Sequence, residues 1–319
     1  MIRLKSGWKS YCIDDSIYIY SDIKKIKLNG FKDKSYEVSL KLNNGNFDIL
    51  TDKYILESLY KVDSIKNLIE STSVVFDDEF SRIQGYIEHI NLDPILSLQK
   101  IKNSYVLILG LGGIGTNILQ NLLMSGVRRF IIIDFDFVEA SNLTRQSLYS
   151  YEDIGFLKTD VISNYIKRNY PDAELLKFNV KVDSIGILEE VFNKVPVIDL
   201  AIVCADNPPK FIQDITMSFF WNKDIPFING GVMIQAGVFG PLFDKKFSKN
   251  GPESYLNKRS SDINFEPTFP CFSPFNSLIS NFIAAEVLHY LLGAYDKVEF
   301  DNQIFVDFVE RKIIKKYSE

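Results

Sequence analysis

The chain has few of the residues that build disulfide frameworks, zinc sites or histidine-based active sites. Its 319 residues include only two histidines and three cysteines. Cys12, Cys204 and Cys271 lie far apart and form no C-x-x-C pair, which argues against a disulfide framework and against a four-thiolate zinc site. We therefore expect no structural zinc and no mechanism based on histidine, and a reducing cytoplasm is the simplest location.

Long apolar runs and an excess of positive charge are also missing. No apolar run reaches the roughly 18 to 20 residues that span a bilayer, and the start MIRLKSGWKSY lacks the apolar segment of a signal peptide. The formal net charge is -5, whereas a nucleic-acid backbone attracts a basic surface. The expected protein is cytoplasmic and binds neither membrane nor nucleic acid.

The first part of the chain is β-rich and then helical. IDDSIYIYSD and IKKIKLNG are short strand-like runs that end in turn residues. YEVSLKLNNGNFDIL alternates apolar and polar residues before Asn44-Gly45, which predicts a β-hairpin. Two short helices are expected next. One is capped near Asp52 and has Ile55, Leu56 and Leu59 on one face, and the other starts at Asp63-Ser64 with Ile65, Leu68 and Ile69 facing inward.

These patterns predict two domains. Residues 1–76 are expected to form a small winged-helix-like module, which STSVVFDDEF links to a larger domain over 77–319. The length of the chain and its hydrophobic content of 46% agree with one small and one large domain.

The second part of the chain alternates buried strands with helices. YVLILG, RRFIIID, AELLKFNV, VIDLAIVCAD and IPFINGGV are strand-like, and helical segments such as NILQNLLMS and TDVISNYIKRNYP stand between them. This alternation predicts an α/β fold with a doubly wound, mostly parallel, Rossmann-like sheet.

The C-terminal part of this domain is expected to contain a polar loop, a helix and strands. The segment from Asp244 to Asn264 is too polar for a core and predicts a surface loop, with a mobile segment over an active site as the alternative. The ending VEFDNQIFVDFVERKIIKKY predicts terminal strands. The long helix before them is expected to bury Leu278, Phe282, Ala285 and Leu288, or their neighbours.

A glycine-rich turn is the strongest local signal for a ligand. Gly110, Gly112 and Gly115 fit G-x-G-x-x-G between a strand and a helix, with Gly113 inside the motif. Such a turn lets the backbone approach a phosphate, and the helix N-terminus adds N–H groups and its dipole. Asp134 ends the next strand, at the spacing expected for an acid that binds a ribose hydroxyl. These residues indicate an adenine nucleotide and leave a dehydrogenase and an ATP-using enzyme equally open.

The polar residues after Asp134 favour ATP. Asp134 and Asp136 are two apart and are expected to face one crevice, one binding the ribose and the other Mg²⁺. Asp206, in CADN, adds a carboxylate at the carboxyl edge of the sheet. Between them come Asn142, Arg145, Gln146 and Lys158, of which the arginine and the lysine suit phosphate oxygens. A dinucleotide needs little more than the glycine turn, whereas a transferring α-phosphate needs this much positive charge.

Taken together, these motifs resemble one enzyme family. GLGGIG, DFDFVEASNLTRQ, GFLKTD, and CADN followed by IPFINGG are similar to the ubiquitin-activating-enzyme-like adenylyltransferases, which include the ThiF and MoeB enzymes that activate sulfur-carrier proteins. The resemblance covers roughly residues 78–293. It implies that Asp134 binds the ATP ribose and that Asp136 and Asp206 serve Mg²⁺. The residues that it assigns to the phosphates are Asn142, Arg145 and Lys158, with Gln146 nearby.

The segment EFSRIQGY, ahead of the first parallel strand, resembles the family's R-x-x-R-Q motif, although Ile83 separates its arginine from its glutamine. In the family this arginine reaches the partner's active site. The resemblance therefore implies a homodimer in which Arg82 contacts phosphate in trans.

The N-terminal module resembles the leader-peptide recognition elements of natural-product enzymes. Together with the second domain it is similar in architecture to the maturation enzymes of peptide antibiotics such as microcin C and pantocin A. This resemblance implies ATP-dependent adenylation of a carboxylate on a ribosomally made precursor peptide. The leader of that peptide would add as a strand to the edge of a sheet in residues 1–76.

Three alternatives remain beside this hypothesis. A sulfur-carrier activator of the ThiF or MoeB type usually has two C-x-x-C zinc pairs, and these are missing here. A non-catalytic leader-binding scaffold has no need of Arg145, Lys158 and Asp206, and a nicotinamide dehydrogenase leaves these residues unexplained. The N-terminal module could also serve dimerisation or packing. Cys271 could accept an acyl group, although a small packed cysteine is the favoured interpretation.

Overall fold

The computed structural model describes residues 2–4, 8–14, 16–21, 24–29, 31–44, 52–60, 69–71, 79–207, 211–256 and 271–317. The chain forms two compact units, Met1–Ser97 and Leu98–Glu319. The boundary expected at 76/77 stays a prediction, and residues 72–78 of the expected link lie outside the described residues.

The first unit contains two small antiparallel sheets and short helices. Its strands are β1 (Ile2–Leu4), β2 (Lys9–Ile13), β3 (Ser16–Tyr20), β4 (Lys25–Leu28) and β5 (Ile69–Ser71). Its helices are α1 (Ser35–Asn44), α2 (Lys53–Tyr60) and α3 (Ser81–His89), with a 3-10 turn at Lys32–Lys34. One sheet has the order β2-β3-β4, and β1 pairs with β5. The strands expected in IDDSIYIYSD and IKKIKLNG are therefore present.

The hairpin expected in YEVSLKLNNGNFDIL is wrong, because its first arm is helix α1. Val38 and Leu42 are fully buried while Tyr36 and Leu40 are exposed, so burial repeats every four residues rather than every two. Polar Ser39 belongs to the buried face, where its hydroxyl lies 2.9 Å from that of Ser10. A polar residue on the buried face produced the apparent alternation.

The two helices expected after residue 50 have different outcomes. The helix expected near Asp52 is α2, which buries Leu56 and Leu59 as expected. The helix expected from Asp63-Ser64 lies mostly outside the described residues, and Ile69 at its predicted inner face belongs to β5 instead.

The second unit is built on one large sheet with helices around it. Its strands are β6 (Tyr105–Leu109), β7 (Arg129–Ile133), β8 (Glu174–Phe178), β9 (Leu200–Val203), β10 (Phe227–Val232), β11 (Ala236–Phe239), β12 (Asn302–Asp307) and β13 (Lys312–Tyr317). Helix α4 (Pro94–Asn103) contains the boundary between the two units. The other helices are α5 (Gly113–Met124), α6 (Lys158–Asn169), α7 (Ile185–Phe192), α8 (Phe211–Asn222), α9 (Glu253–Leu256) and α10 (Ser273–Leu292). Its 3-10 turns are Ala140–Thr144, Tyr151–Asp153 and Tyr295–Lys297.

The strand order confirms the predicted doubly wound α/β fold. The order is β13-β12-β11-β10-β9-β6-β7-β8, and the strands from β8 to β10 pair in parallel. The last three strands continue the sheet in antiparallel pairs. Because β6 has β7 on one side and β9 on the other, the winding reverses between β6 and β9, which is where ligands bind in such sheets.

The C-terminal part of this unit decides the orientation of α10, which the sequence left open, and departs from the sequence prediction at Asp244. Helix α10 buries neighbours of the expected residues, with Ile279 and Ile283 fully buried and Leu278 40% exposed. Most sides of this helix are apolar, so the pattern alone did not fix its orientation. Asp244, expected to begin a surface loop, is buried and accepts a hydrogen bond from Tyr290 at 2.6 Å. Residues 257–264 of that expected loop lie outside the described part.

In the ranges that the structure describes, none of the helices is both long enough and apolar enough to cross a bilayer.

Candidate nucleotide site

The glycine-rich turn connects β6 to α5 in a backbone shape that larger residues would disturb. Gly110 has φ +94°, and a Cβ there would lie 2.7 Å from the backbone nitrogen of Ala205, the residue two after β9. A Cβ at Gly115 would overlap the carbonyl oxygen of Gly110, so this glycine lets α5 pack closely on the turn. Apart from its two chain neighbours, none of the described residues has an atom within 4 Å of a Cβ at Gly112, which precedes α5. The turn is therefore tight towards the protein and open towards the cavity.

Asp134 fastens this turn to the end of β7. Its carboxylate accepts hydrogen bonds from the backbone N–H of Leu111 at 2.6 Å and of Asp136 at 2.8 Å. The hydroxyl of Tyr149 donates to the carbonyl of Leu111 at 3.0 Å and holds the same turn from another side. Burial raises the pKa of Asp134, against the opposing influence of Lys158 and of the two backbone hydrogen bonds. A carboxylate has about four acceptor positions, so a ribose hydroxyl can still donate to it.

Asp136 and Lys158 form a partly buried ion pair beside the turn. The Lys158 ammonium lies 3.0 Å from Oδ2 of Asp136, and the Lys158 backbone N–H donates to the Asp136 carbonyl at 3.0 Å. The Lys158 side chain is only 7% exposed, whereas that of Asp136 is 48% exposed. The lysine is thus held in place at the start of α6, and the carboxylate faces the cavity. Both acids follow β7 rather than lying on it, but they face one crevice as predicted.

The polar residues of the 3-10 turn Ala140–Thr144 and just after it have mixed roles. Asn142 is buried, and its side-chain oxygen accepts from the backbone N–H of Glu139 at 3.2 Å, so it shapes the turn. Arg145 donates to the carbonyl of Ser141 at 2.9 Å. Gln146 is buried with its side-chain oxygen unpaired among the described residues. An unpaired buried acceptor is costly unless a ligand or water completes it.

One cavity of about 630 Å³ brings most of the predicted residues together. Those that line it are Gly110, Gly112, Gly113, Asp134, Asp136, Asn142, Arg145, Gln146, Lys158 and Asp206. Gly115 is not among them, because it packs against the turn itself. Arg82 lies on α3 in the first unit and is exposed. The apolar part of the lining, which has the character of a base-binding surface, is formed by Leu109, Ile133, Val180 and Val182.

The cavity lining also contains residues that were not predicted as site residues, among them Asn276 and Cys204. Asn276, on α10, is buried and donates to the sulfur of Cys271 at 2.8 Å. Its side-chain oxygen lies 3.0 Å from the position of a Cβ on Gly113, so it packs against the glycine turn. A buried asparagine at the start of an apolar helix was the available sequence signal. Cys204 also lines the cavity, but burial raises the pKa of its thiol to about 12, which makes it a poor nucleophile.

The acidic residues fit a magnesium ion held together with a nucleotide. Asp136 and Asp206 line the same cavity, and Asp206 is exposed. No cluster of three or more potential metal-ligating side chains occurs in the described ranges. One or two carboxylates plus phosphate oxygens and water are the usual magnesium set, whereas a protein-only metal cage needs more ligands.

Comparisons with known proteins agree with this geometry. The family model described as the ThiF family matches residues 86–313. The adenylyltransferase and sulfurtransferase UBA4 of Scheffersomyces stipitis is 30% identical over 230 residues, 70% of this chain and 49% of that protein. The NEDD8-activating enzyme E1 catalytic subunit of Saccharomyces cerevisiae is 34% identical over 131 residues, 40% of this chain and 43% of that protein. The chain thus spans about half or less of the length of these relatives.

Solved structures share the fold over nearly the whole chain. E. coli MccB with ATP has a TM-score of 0.76 and 22% identity, covering 99% of this chain and 96% of that chain. Selenomethionine PaaA has a TM-score of 0.77 and 22% identity, covering 98% of this chain and 99% of that chain. At this identity the likeness shows the fold alone. The family model, however, matches more than half of the sequence, and the chain belongs to the ThiF family.

Proposed function

We propose that this protein is an ATP-dependent adenylyltransferase that activates a carboxylate of a ribosomally made precursor peptide in peptide natural-product maturation. One observation carries the nucleotide part of the proposal. A tight glycine turn, the carboxylates of Asp134, Asp136 and Asp206, and two cations line one cavity at the point where the sheet reverses its winding. The two cations are Arg145 and Lys158, which a redox dinucleotide does not require.

The reaction needs positioning and charge neutralisation more than a side-chain nucleophile. A carboxylate oxygen of the peptide attacks the α-phosphorus of ATP, the bond to the β-phosphate bridging oxygen breaks, and the products are an acyl-adenylate and pyrophosphate. Arg145 and Lys158 would bind the phosphate oxygens, and Asp134 would bind the ribose. Magnesium, held by Asp136 and Asp206, would neutralise charge on the leaving pyrophosphate. Gln146 offers an acceptor to a donor of the bound nucleotide.

The peptide part of the proposal rests on the first unit. MccB of E. coli has been solved with MccA and shares its fold with 99% of this chain. The antiparallel sheet β2-β3-β4 offers edges to which an extended leader can add as a strand. A homodimer with Arg82 contacting phosphate in trans belongs to the same proposal, as does the boundary between the two domains near residue 76.

Alanine variants of the two cations test the nucleotide part. Arg145→Ala and Lys158→Ala should lower turnover by about 100-fold or more while ATP affinity changes by less than about tenfold, because both cations act mainly on charge that develops during transfer. Turnover is measured as pyrophosphate release with a candidate precursor peptide, which is sought among short open reading frames beside this gene. ATP affinity is measured by calorimetry. The matched control is Lys167→Ala, an exposed lysine on the same helix as Lys158.

Equal losses of turnover and ATP affinity would contradict a role in the transferring step. Deleting the N-terminal half of the peptide tests the other part, because the proposal requires that half for efficient turnover.

A second candidate is activation of a small sulfur-carrier protein. It is favoured by the similarity to UBA4, named an adenylyltransferase and sulfurtransferase. This candidate predicts ATP–pyrophosphate exchange that depends on a small protein ending in Gly-Gly, with no response to the precursor peptide.

A further inference from the structure

One face of the sheet β2-β3-β4 carries lysines and tyrosines together. The opposite face supplies the core, since Ile17 and Ile19 are fully buried and Leu28 is 6% exposed. Because side chains alternate along a strand, the other face is formed by the intervening residues. We call it the lysine–tyrosine face and define it by Lys9, Tyr11, Tyr18, Tyr20, Lys25 and Lys27.

The aromatic rings and ammonium groups of this face are in contact. Tyr11 stacks on Tyr18 with ring centroids 5.2 Å apart, and Tyr20 meets Tyr11 edge-on at 5.2 Å. The Lys25 ammonium lies 4.5 Å from the centre of the Tyr18 ring, and that of Lys27 lies 5.6 Å from it. The three strands contain three lysines and no acidic residue, so the face is positive although the whole chain has net charge -5.

At Lys25 and Lys27, the backbone hydrogen-bonding groups of β4 point to the open edge of the sheet. The N–H of Ser21 donates to the carbonyl of Lys24 and closes the turn between β3 and β4. In an antiparallel ladder the hydrogen-bonded pairs then alternate, so Ile26 and Leu28 bond to β3. Lys25 and Lys27 therefore turn their N–H and C=O groups away from β3. Among the described residues, β4 pairs with β3 alone.

At the other edge of this sheet, which is formed by β2, one side chain already occupies backbone hydrogen-bonding groups. The side chain of Asn43, on α1, accepts from the N–H of Ser10 at 2.7 Å and donates to its carbonyl at 2.8 Å. Asn43 therefore occupies both outward backbone groups of Ser10 on β2. An added strand is consequently better accommodated beside β4.

We infer that the lysine–tyrosine face and the β4 edge together bind an acidic peptide segment, added as a strand with acidic side chains at alternate positions. Backbone groups of Lys25 and Lys27 would pair with the segment. Its acidic side chains would then lie beside the two ammonium groups, as cross-strand neighbours do. The inference rests on the proposed function, since it assigns an acidic stretch to the leader of the precursor.

Short synthetic strands test this inference without ATP. Fluorescence anisotropy with the full chain compares labelled acetyl-TEVEVET-amide with the matched TQVQVQT and TKVKVKT peptides. The glutamate peptide should bind about tenfold tighter than the glutamine peptide, since the two ammonium groups of Lys25 and Lys27 each attract the neighbouring glutamates and each exposed pair contributes a little. The lysine peptide should bind weakest. Raising the salt from 50 to 500 mM should remove most of the difference.

Variants locate the binding to this face. Lys25→Gln/Lys27→Gln should remove the preference for glutamate. The control Lys34→Gln/Lys53→Gln, which removes the same charge from exposed lysines elsewhere in the first unit, should retain it. Far-UV circular dichroism checks that both variants are folded. N-methyl groups on alternate residues of the glutamate peptide should abolish binding, because they block strand pairing.

Three results would overturn the inference. They are equal affinity for the glutamate and glutamine peptides, an unchanged preference in Lys25→Gln/Lys27→Gln, and displacement of the glutamate peptide by an eight-nucleotide oligothymidylate, which would assign the face to nucleic acid. The proposed adenylation fails independently, through loss of ATP binding or of pyrophosphate release. Failure of either idea is therefore visible in its own assay.

Discussion

Asp134 combines a structural task with its proposed role at the nucleotide. Its two backbone hydrogen bonds tie the glycine turn to the end of β7, so the residue shapes the site before any ligand binds. The sequence spacing identified it as a ribose-binding acid, but these bonds to Leu111 and Asp136 depend on the folded turn and had no sequence signature. Lys158 is similar, because its pairing with Asp136 follows from the start of α6 meeting the loop after β7.

Replacing Asp134 by asparagine should destabilise the second unit. The amide can accept only one of the two backbone hydrogen bonds well and turns its NH₂ towards the other donor, which costs about 1–3 kcal/mol at pH 7. Urea unfolding followed by circular dichroism measures the difference. A variant as stable as the wild type would show that these two bonds do not hold the turn.

The difference in stability between the wild type and Asp134→Asn should depend on pH, and the direction of the change follows from the pKa of Asp134. Burial raises the pKa of the folded Asp134 carboxyl above its unfolded value of about 3.9. The folded state therefore binds more protons between these two pKa values, and the stability from this group is lost as pH rises through the folded pKa. The advantage of wild type over Asp134→Asn should grow as pH falls from 7 to 4.5. A gap that shrinks on acidification would contradict this sign.

At the scale of secondary-structure elements, the sequence predicted the second unit better than the first. The strands around β6 and β7 are apolar on both faces and are bounded by turn residues, so their type and order could be predicted. Helix α1 was misread because Ser39 interrupts its apolar face, and the contact of Ser39 with Ser10 on β2 is not encoded locally. The orientation of α10 could be predicted only to within one residue, because its neighbours on the sheet, rather than its own composition, select the buried face.

Alanine substitutions on α1 distinguish the helix from the expected hairpin. Leu42→Ala removes a fully buried side chain and should cost about 2–5 kcal/mol, whereas Leu40→Ala, at an exposed position, should change stability by about 0.5 kcal/mol or less. In a hairpin the two leucines would share a face and lose similar amounts. Trp8 packs on the same core as Leu42, so its fluorescence in a Trp221→Phe background reports unfolding of the first unit.

At the scale of the whole molecule, the two units carry different parts of the proposed activity. The residues that line the nucleotide cavity all belong to Leu98–Glu319, and the lysine–tyrosine face belongs to Met1–Ser97. The glycine turn and the acids could be predicted from the sequence because each follows a recognisable strand, and the cations because they belong to the polar segment after Asp134. Asn276 could not, because it enters from α10, more than a hundred residues further along the chain.

Hydrogen exchange should resolve the two units by their ligands. A ligand stabilises the state that it binds, by about 2.7 kcal/mol at a concentration of 100 times its Kd, which slows exchange through opening of that region about 100-fold. ATP with Mg²⁺ should therefore protect amides in 110–117 and 134–146 and leave those in 9–44 nearly unchanged. The peptide acetyl-TEVEVET-amide should give the opposite pattern. Mass spectrometry of peptic fragments provides the measurement, and protection of 9–44 by ATP without protection of the glycine turn would contradict this division of binding between the units.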